Sequence, residues 1–334
     1  MLNGVAILLM IFLHLFNQQT NVALCHNMLS IGGTPLVYIL SRAADPVSFF
    51  LILGGYGLYR VNEKGDRHRW TRLIKLLLHY WVILVIFLTA GHRLHPAGYP
   101  GNIHAIISNF TGFQCTYNGE MWFLFPYMIL SVCSPYIFRF YKRFRAYHIV
   151  AATLLIHLCT CYCISRYGKA YLYHNYWVYN LLLVFHLLFS FSLGAMAART
   201  NFFEKLRATL CMRQYTSIIA WGGIISLVVI NCIFKYNFFY AFGIITCILL
   251  VKMPGVVAVT LRRLGDQSMN MWMIHTWFCY YLFHDFIYSF SYPVIIFAIL
   301  TTISYLCSLV VNLLCTPIEW LLMPRRQAAA KPVL

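Results

Sequence analysis

Ten apolar stretches separated by short polar segments are the feature that most limits how this chain can fold. They lie at residues 2–16, 44–59, 73–90, 119–138, 147–164, 176–198, 215–234, 237–251, 268–290 and 293–315. Only 10% of the 334 residues are charged. A soluble domain carries about a quarter, so a water-exposed surface of normal size cannot be built from these residues. We predict an all-α fold, a polytopic membrane helix bundle of about ten transmembrane helices.

The distribution of basic residues tests this number of spans. Twenty of the 25 lysines and arginines fall in five segments, which are every second loop between the apolar stretches. Because basic loops are retained on the cytoplasmic side, both termini are predicted to be cytoplasmic. Residues 1–323 are then one transmembrane domain, followed by a short cytoplasmic tail at 324–334. This placement of the net charge of +17 favours a lipid bilayer as partner and argues against nucleic acid.

The 12 cysteines show no zinc-type pairing in the sequence, so no metal site is predicted. Cys159, Cys161 and Cys163 alternate within one apolar stretch and would point to different faces of a helix. We interpret them as small buried helix residues. No permanently bound cofactor is expected.

His14 is the first candidate for function, because an ionisable side chain inside a span costs at least about 2.5 kcal/mol on insertion. Its imidazole could be a general base or an acyl-transfer relay, or a neutral imidazole bonded to a neighbouring helix. Asp45 and Glu120 open the second and fourth spans on the predicted outer side. Either could orient the imidazole or bind a sugar hydroxyl, or act only as an interfacial or helix-start carboxylate.

A second group, Ser268, Trp272 and His275, stands at i, i+4 and i+7 and therefore shares one helix face. Asp266 or Ser268 is predicted to cap the start of that helix. His275 would then lie about two turns inside the inner surface. Structural helix packing is the alternative explanation for this group.

A third group is basic: Arg67, Arg69, Arg72 and Lys75 precede and enter the third span. Arg69 and Arg72 are three residues apart and share a face, and guanidinium groups match the oxygens of phosphate. The group could bind a phosphorylated cytosolic donor. It could also be only a topology signal or a contact for lipid headgroups.

Together these segments resemble the membrane-embedded acyltransferase 3 family over nearly the whole chain. The first-helix motif of that family is a basic residue followed by ten residues and a histidine, and residues 4–14 resemble it. The other matching segments are residues 45–56, Arg69-x-x-Arg72-Leu73, Gly119-Glu120-Met121-Trp122-Phe123-Leu124, and Leu264-Gly265 with Ser268, Trp272 and His275. Each motif is weak by itself, but five in the right order make a specific match.

The resemblance implies transfer of an acyl group, usually acetyl, from cytosolic acyl-CoA (acetyl-CoA) to a hydroxyl of a sugar or polysaccharide acceptor. Such acceptors are extracytoplasmic or lipid-linked glycans, and the location implied is the inner or plasma membrane. Our candidate catalytic residues are His14, Glu120 and Asp45, our donor-binding residues are Arg69, Arg72 and Lys75, and our supporting residues are Trp122, Ser268, Trp272 and His275.

Asn3 departs from the family pattern, because it occupies the basic position of the first-helix motif. An inactive member of the family is therefore one alternative. A non-enzymatic transporter of glycolipid or polysaccharide is another, since it would share the helices, the aromatic residues and the buried polar groups.

Overall fold

The computed structural model describes residues 1–65, 69–96, 98–210, 215–234 and 238–322. Within these ranges the chain is almost entirely helical, which confirms the predicted all-α class. The strands found there are two short antiparallel segments, β1 (Ser30–Ile31) and β2 (Thr34–Pro35), joined by Gly32 and Gly33. Both glycines have positive φ, as a tight two-residue hairpin turn requires.

Fifteen α-helices follow one another along the described chain. They are α1 (Leu2–Phe16), α2 (Gln19–Ala23), α3 (Leu36–Ala43), α4 (Pro46–Glu63), α5 (Arg69–Leu94), α6 (Ile103–Phe110), α7 (Leu124–Tyr141), α8 (Ala146–Tyr167), α9 (Tyr176–Arg199), α10 (Phe202–Leu210), α11 (Thr216–Ile233), α12 (Tyr240–Leu250), α13 (Gly255–Thr276), α14 (His284–Tyr288) and α15 (Pro293–Leu322). Short 3₁₀ helices at Gly119–Phe123 and Leu172–His174 precede α7 and α9, and a π-helix at Trp277–Tyr281 follows α13.

Seven helical segments in the described part of the chain are long and apolar enough to cross a membrane. They are Leu36–Glu63, Arg69–Leu94, Gly119–Tyr141, Ala146–Tyr167, Tyr176–Arg199, Thr216–Ile233 and Pro293–Leu322. The helices α1 and α12 are apolar but have only 15 and 11 residues. The chain is thus an integral membrane protein, while the number of ten spans and the cytoplasmic termini stay predictions.

Large apolar side chains point away from the protein on several of these helices. Leu155 on α8 is 63% exposed, and Ile218 and Ile225 on α11 are 69% and 62% exposed. Water would penalise such surfaces, whereas hydrocarbon would not. These faces are suited to contact lipid.

The helices form two compact units, each assembled from separate stretches of chain. The first comprises Met1–Ser41, Trp70–Phe110 and Pro254–Leu334. In it α1 packs along α13, and α13 also packs against α15. A methyl group added at Gly4 would overlap the backbone carbonyl of Leu261, and one at Gly265 would come within 3.1 Å of the Gly4 nitrogen. Glycine at both positions therefore allows α1 and α13 to approach closely.

The second unit comprises Arg42–Arg69 and Thr111–Met253, and α9 is its most buried helix. Helices α4, α7 and α8 all pack against α9. A methyl group at Gly55 would overlap the carbonyl of Phe191, and one at Gly194 would overlap the carbonyl of Ile52. Close backbone contact through glycine thus holds α4 against α9, as in other membrane helix pairs.

Two predictions about the late helix are wrong. Neither Asp266 nor Ser268 caps its start, because α13 begins at Gly255 after Pro254, three turns earlier. The part of α13 before Ser268 carries Arg262, Arg263 and Asp266, and these charges hide the helix in the apolar pattern of the sequence. The stretch 268–290 is also not one helix, since α13 changes to a π-helix at Trp277 and a separate helix begins at His284.

The predicted burial of the three alternating cysteines is also wrong. Cys159 is exposed, and Cys161 and Cys163 are only partly buried. All three lie on α8, which presents much of its surface outward, so that a small side chain there need not be enclosed. Arg67 and the tail at 324–334 lie outside the described residues.

Candidate active site at the contact of α1 and α13

The helices α1 and α13 bring two predicted residues, His14 and His275, side by side. Each histidine lies ten residues after the glycine at which the two helices touch, Gly4 in α1 and Gly265 in α13. Ten helical residues rise about 15 Å, so parallel helices that meet at the glycines carry both imidazoles to the same depth. The ring centroids are 5.1 Å apart.

Hydrogen bonds determine which nitrogen of His275 carries the proton. Its Nδ1 lies 3.0 Å from the carbonyl oxygen of Met271 and 2.9 Å from that of Trp272. Carbonyl oxygens only accept, so Nδ1 must be the donor and a neutral ring has its lone pair on Nε2. This Nε2 is buried and has no hydrogen-bond partner among the described residues.

His14 also has a ring nitrogen that is not satisfied. Its Nδ1 is buried and lacks a hydrogen-bond partner in the described part of the chain, whereas the residue as a whole is partly exposed. A buried ring nitrogen without a hydrogen bond destabilises the folded protein, so two of them side by side are not explained by a structural role. A hydroxyl group of a substrate could form the missing hydrogen bonds.

Hydroxyl groups fix the end of α1 at this site. Tyr280, in the π-helix, donates to the carbonyl oxygen of His14 at 2.6 Å. Tyr288 donates to the carbonyl of Leu15 and Ser41 to that of Phe16, both at 2.8 Å. The last carbonyls of a helix have no partner within it, so these three bonds satisfy groups that water would otherwise serve. They also hold the backbone of His14 in place.

A second polar group of the same unit surrounds His79 on α5. Its Nε2 lies 2.6 Å from Oε1 of Glu319, and its Nδ1 lies 2.8 Å from Oδ1 of Asn270. Lys75 donates to the other oxygen of Glu319 at 2.8 Å. Both nitrogens of His79 thus have a hydrogen-bond partner. Lys75, a predicted donor-binding residue, is paired with a carboxylate here.

Amides and a hydroxyl extend this group from α13 to α15. Asn270 donates to Oδ1 of Asn312 at 3.0 Å, and Asn312 donates to Oε1 of Gln267 at 2.5 Å. Ser308 donates to the same oxygen of Gln267 at 3.1 Å. This cluster was not predicted, although the sequence contains a signal for it. Gln267 and Asn270 are three residues apart, and Ser308 and Asn312 are four apart. Each pair therefore places two polar side chains on one helix face within an apolar segment.

The remaining predicted residues of the first unit are Ser268, Trp272 and Arg72. Ser268 donates to the carbonyl of Gly265 at 2.8 Å and is buried, as is Trp272. Arg72 lies in the first turn of α5, three residues after Arg69, as the sequence predicts.

The other predicted residues belong to the second unit. Asp45 accepts from the backbone nitrogen of Ser48 at 3.2 Å and caps α4, so its helix-start role is present. Glu120 and Trp122 lie in the 3₁₀ helix before α7, where Trp122 is 37% exposed. Arg69 donates to the hydroxyl of Tyr136 at 3.3 Å and stacks over that ring.

Glu204, on the short helix α10, has the clearest electrostatic environment outside the spans. It accepts from Arg60 at 2.5 Å and from the hydroxyl of Tyr56. Burial raises the pKa of Glu204, but the hydrogen bonds from Tyr56 and Arg60 outweigh burial and hold that pKa below its ordinary value of 4.5. The carboxylate is thus ionised at neutral pH.

Comparison with known proteins gives one match. The sequence model of a family described as an acyltransferase domain, acyltransferase 3, covers residues 1–316. No curated protein and no solved structure matches the chain significantly. The matched range includes every site residue predicted from the sequence, whereas Glu319 lies just beyond it.

Proposed function

Because the chain belongs to the acyltransferase 3 family, we propose that it is a membrane-embedded O-acyltransferase. It moves an acyl group, acetyl in the first instance, from cytosolic acyl-CoA to a hydroxyl of an extracytoplasmic or lipid-linked glycan. Its membrane is the inner or plasma membrane. The charged donor stays on one side of the bilayer and the sugar on the other, so the reaction needs a base at depth between them.

The observation that carries this proposal is the pair His14 and His275. Each ring has a buried nitrogen without a hydrogen-bond partner in the described chain, and the rings are 5.1 Å apart. An imidazole with a free lone pair can take a proton from an alcohol near neutral pH. His14 is the more accessible of the two, because it is partly exposed whereas His275 is fully buried.

In the direct route, His14 takes the proton of the acceptor hydroxyl as its oxygen attacks the thioester carbonyl carbon. The new C–O bond forms and the C–S bond breaks. Sulfur leaves with the bonding electron pair and receives the proton from His14, which gives the ester and free CoA. In the alternative route, a nitrogen of His14 attacks the thioester first and an acyl-imidazole then passes the acyl group to the hydroxyl.

The other candidate residues keep the roles that the family resemblance implies. Arg69 and Arg72 serve the phosphates of the donor, with Lys75 once it leaves Glu319. Asp45 and Glu120 bind or orient the sugar. Ser268, Trp272 and Trp122 support the surrounding core.

The first prediction concerns His14. We expect His14→Ala to abolish acceptor-dependent release of CoA by the purified protein in proteoliposomes supplied with acetyl-CoA, because no other group replaces the base. His148→Ala, which changes an exposed histidine on α8, is the matched control and should retain activity. Normal acetylation of surface glycans, measured by mass spectrometry, in cells that make well-inserted His14→Ala would refute the role.

The same assay separates the rival functions. A transporter would move glycan without consuming the donor, so CoA release would not depend on acceptor. An inactive family member, the alternative raised by Asn3, would release none with any acceptor. Acceptor-dependent release by the unmodified chain excludes both.

A further inference from the structure

A cluster of metal-ligating side chains lies in the second unit, on helices other than those of His14 and His275. His157 and Cys161 are four residues apart on α8 and so share a face, and His186 stands opposite on α9. One ligand atom from each residue lies within 4.8 Å of the other two. No other group of three histidine, cysteine or acidic residues meets this condition in the described chain.

The distance between two of the ligand atoms is close to the distance between ligands of a bound metal ion. Sγ of Cys161 lies 3.8 Å from Nδ1 of His186. Two ligands at about 2.3 Å and about 2.0 Å from tetrahedral zinc are about 3.5 Å apart. The imidazoles of His157 and His186 stack with their ring centroids 4.3 Å apart, so one ring must rotate for both to direct a nitrogen at the same ion.

One histidine of the cluster is already oriented as metal ligands are. Nδ1 of His157 lies 2.8 Å from the carbonyl oxygen of His186, so this nitrogen is the donor and a neutral ring keeps its lone pair on Nε2. A backbone carbonyl on the second nitrogen is the usual partner of a ligating histidine. Thr160 donates to the carbonyl of His157 at 2.7 Å and places its hydroxyl 3.2 Å from Nδ1 of His186.

We propose that His157, Cys161 and His186 bind a divalent transition-metal ion, Zn²⁺ by preference, and that this ion fastens α8 to α9. Thiolate and imidazole are the ligands that zinc prefers. On binding, the Cys161 thiol loses its proton to solvent and an S–metal bond forms, with no change in oxidation state. The fourth position is open to water or to the Thr160 hydroxyl.

The charges around the cluster fit a dication. One thiolate and two neutral imidazoles leave a net charge of +1, which is costly inside a bilayer. An ionised Asp45, whose charge acts on His157 from the start of α4, would offset that charge. Such a site would be neutral overall.

The ion would act on a helix that has little buried surface. Only 17% of the apolar segment of α8 is buried, against 67% for α9. A metal bridge would therefore add a strong link between a peripheral helix and the most buried helix of its unit.

The test uses the full chain, purified in detergent and freed of metal, with Co²⁺ as the probe. We expect one equivalent of Co²⁺ to bind with the thiolate-to-cobalt charge-transfer absorption, and Zn²⁺ to displace it. Cys161→Ser should remove the absorption and His186→Gln should weaken binding at least tenfold. Cys159→Ser, two residues earlier on another face of α8, is the matched control and should bind normally.

Two results would overturn the proposal. One is Co²⁺ binding that is unchanged in Cys161→Ser. The other, which needs no variant, comes from alkylation of the unmodified chain followed by mass spectrometry. Zn²⁺ should slow alkylation of Cys161 and not of Cys159, and equal rates at Cys161 with and without Zn²⁺ would contradict the site.

Discussion

At the scale of single residues, His275 is distinguished from other buried histidines by having one satisfied and one unsatisfied nitrogen. Two backbone carbonyls fix the proton on Nδ1, and Nε2 remains without a partner among the described residues, beside the ring of His14. A purely structural histidine would have both nitrogens paired. His79 shows that alternative within the same unit, since both of its nitrogens have partners.

We predict that His275→Gln lowers kcat by about 10²-fold, within the range of a positioned proton acceptor. The KM for acetyl-CoA should change little, because His275 is buried beside His14 and is not among the residues proposed to bind the donor. The measurement is steady-state CoA release against donor concentration. An unchanged kcat would mean that Nε2 has no part in the reaction.

Glu204 leads to a prediction about pH. Its pKa is lower in the folded protein than its ordinary 4.5, so the folded state favours the ionised form. The stability gained is complete above the ordinary pKa and is lost as pH falls through the folded-state value. Because the side chains of Glu204 and Arg60 are 48% and 29% exposed, the gain is at most about 1 kcal/mol.

The measurement is thermal unfolding of the unmodified chain and of Glu204→Gln from about pH 7 to about pH 4. We expect the variant to unfold at a lower temperature than the unmodified chain at neutral pH. The difference in unfolding temperature should shrink below pH 4.5, which is the ordinary pKa of a glutamate. A difference that grows on acidification would contradict the assignment.

At the scale of helices, close backbone contact through glycine determines which elements pack. Gly55 faces the carbonyl of Phe191 across the contact of α4 and α9, whereas Gly57 has no neighbour within 4 Å among the described atoms beyond its own helix. Both residues lie in the interior of α4. The two positions therefore form a matched pair for one substitution.

We predict that Gly55→Ala destabilises the protein by roughly 2 kcal/mol or more, because the new methyl group forces α4 away from α9. Gly57→Ala should be neutral or stabilising by up to about 1 kcal/mol, since alanine is the better helix former. Thermal unfolding in detergent distinguishes them. Equal effects of both substitutions would show that the close approach does not contribute to stability.

Sequence patterns predicted the helices better than the contacts between them. The spacing of polar residues placed Ser268, Trp272 and His275 on one face, and all three are buried on α13. Patterns within one helix could not show that His79 meets Glu319, because these residues are 240 positions apart. The cluster of His157, Cys161 and His186 was missed for the same reason, since its ligands come from two helices.

At the scale of the whole molecule, apolar composition and basic loops predicted an all-helical membrane protein, and the structure confirms this. Apolar patterns define a helix less well where it is short or charged. The first stretch forms a helix of 15 residues, which is short for a full bilayer, and hydroxyl groups satisfy its end. The predicted start of α13 is too late in the chain. Charged residues usually mark the ends of spans, but here they lie inside the helix.

The parity of membrane crossings gives the last prediction. Ten crossings return the chain to the side on which it began, whereas the seven helices that meet both length and composition criteria would leave the termini on opposite sides. The alternation of basic loops requires an even number. We therefore expect α1, α12 and α13 to cross as well, with both termini in the cytoplasm.

Reporter fusions test this directly. A fluorescent protein that folds only in the cytoplasm should be active when fused to either terminus or inserted between α7 and α8, beside Arg143. An alkaline phosphatase that folds only outside should be active when inserted between α5 and α6. Because each crossing reverses the side, phosphatase activity at the C-terminus with the N-terminus inside would demand an odd number of crossings. Either one of the three helices or all three would then fail to cross the bilayer. The parallel contact of α1 and α13, which brings His14 to His275, would still require both helices to start on the same side.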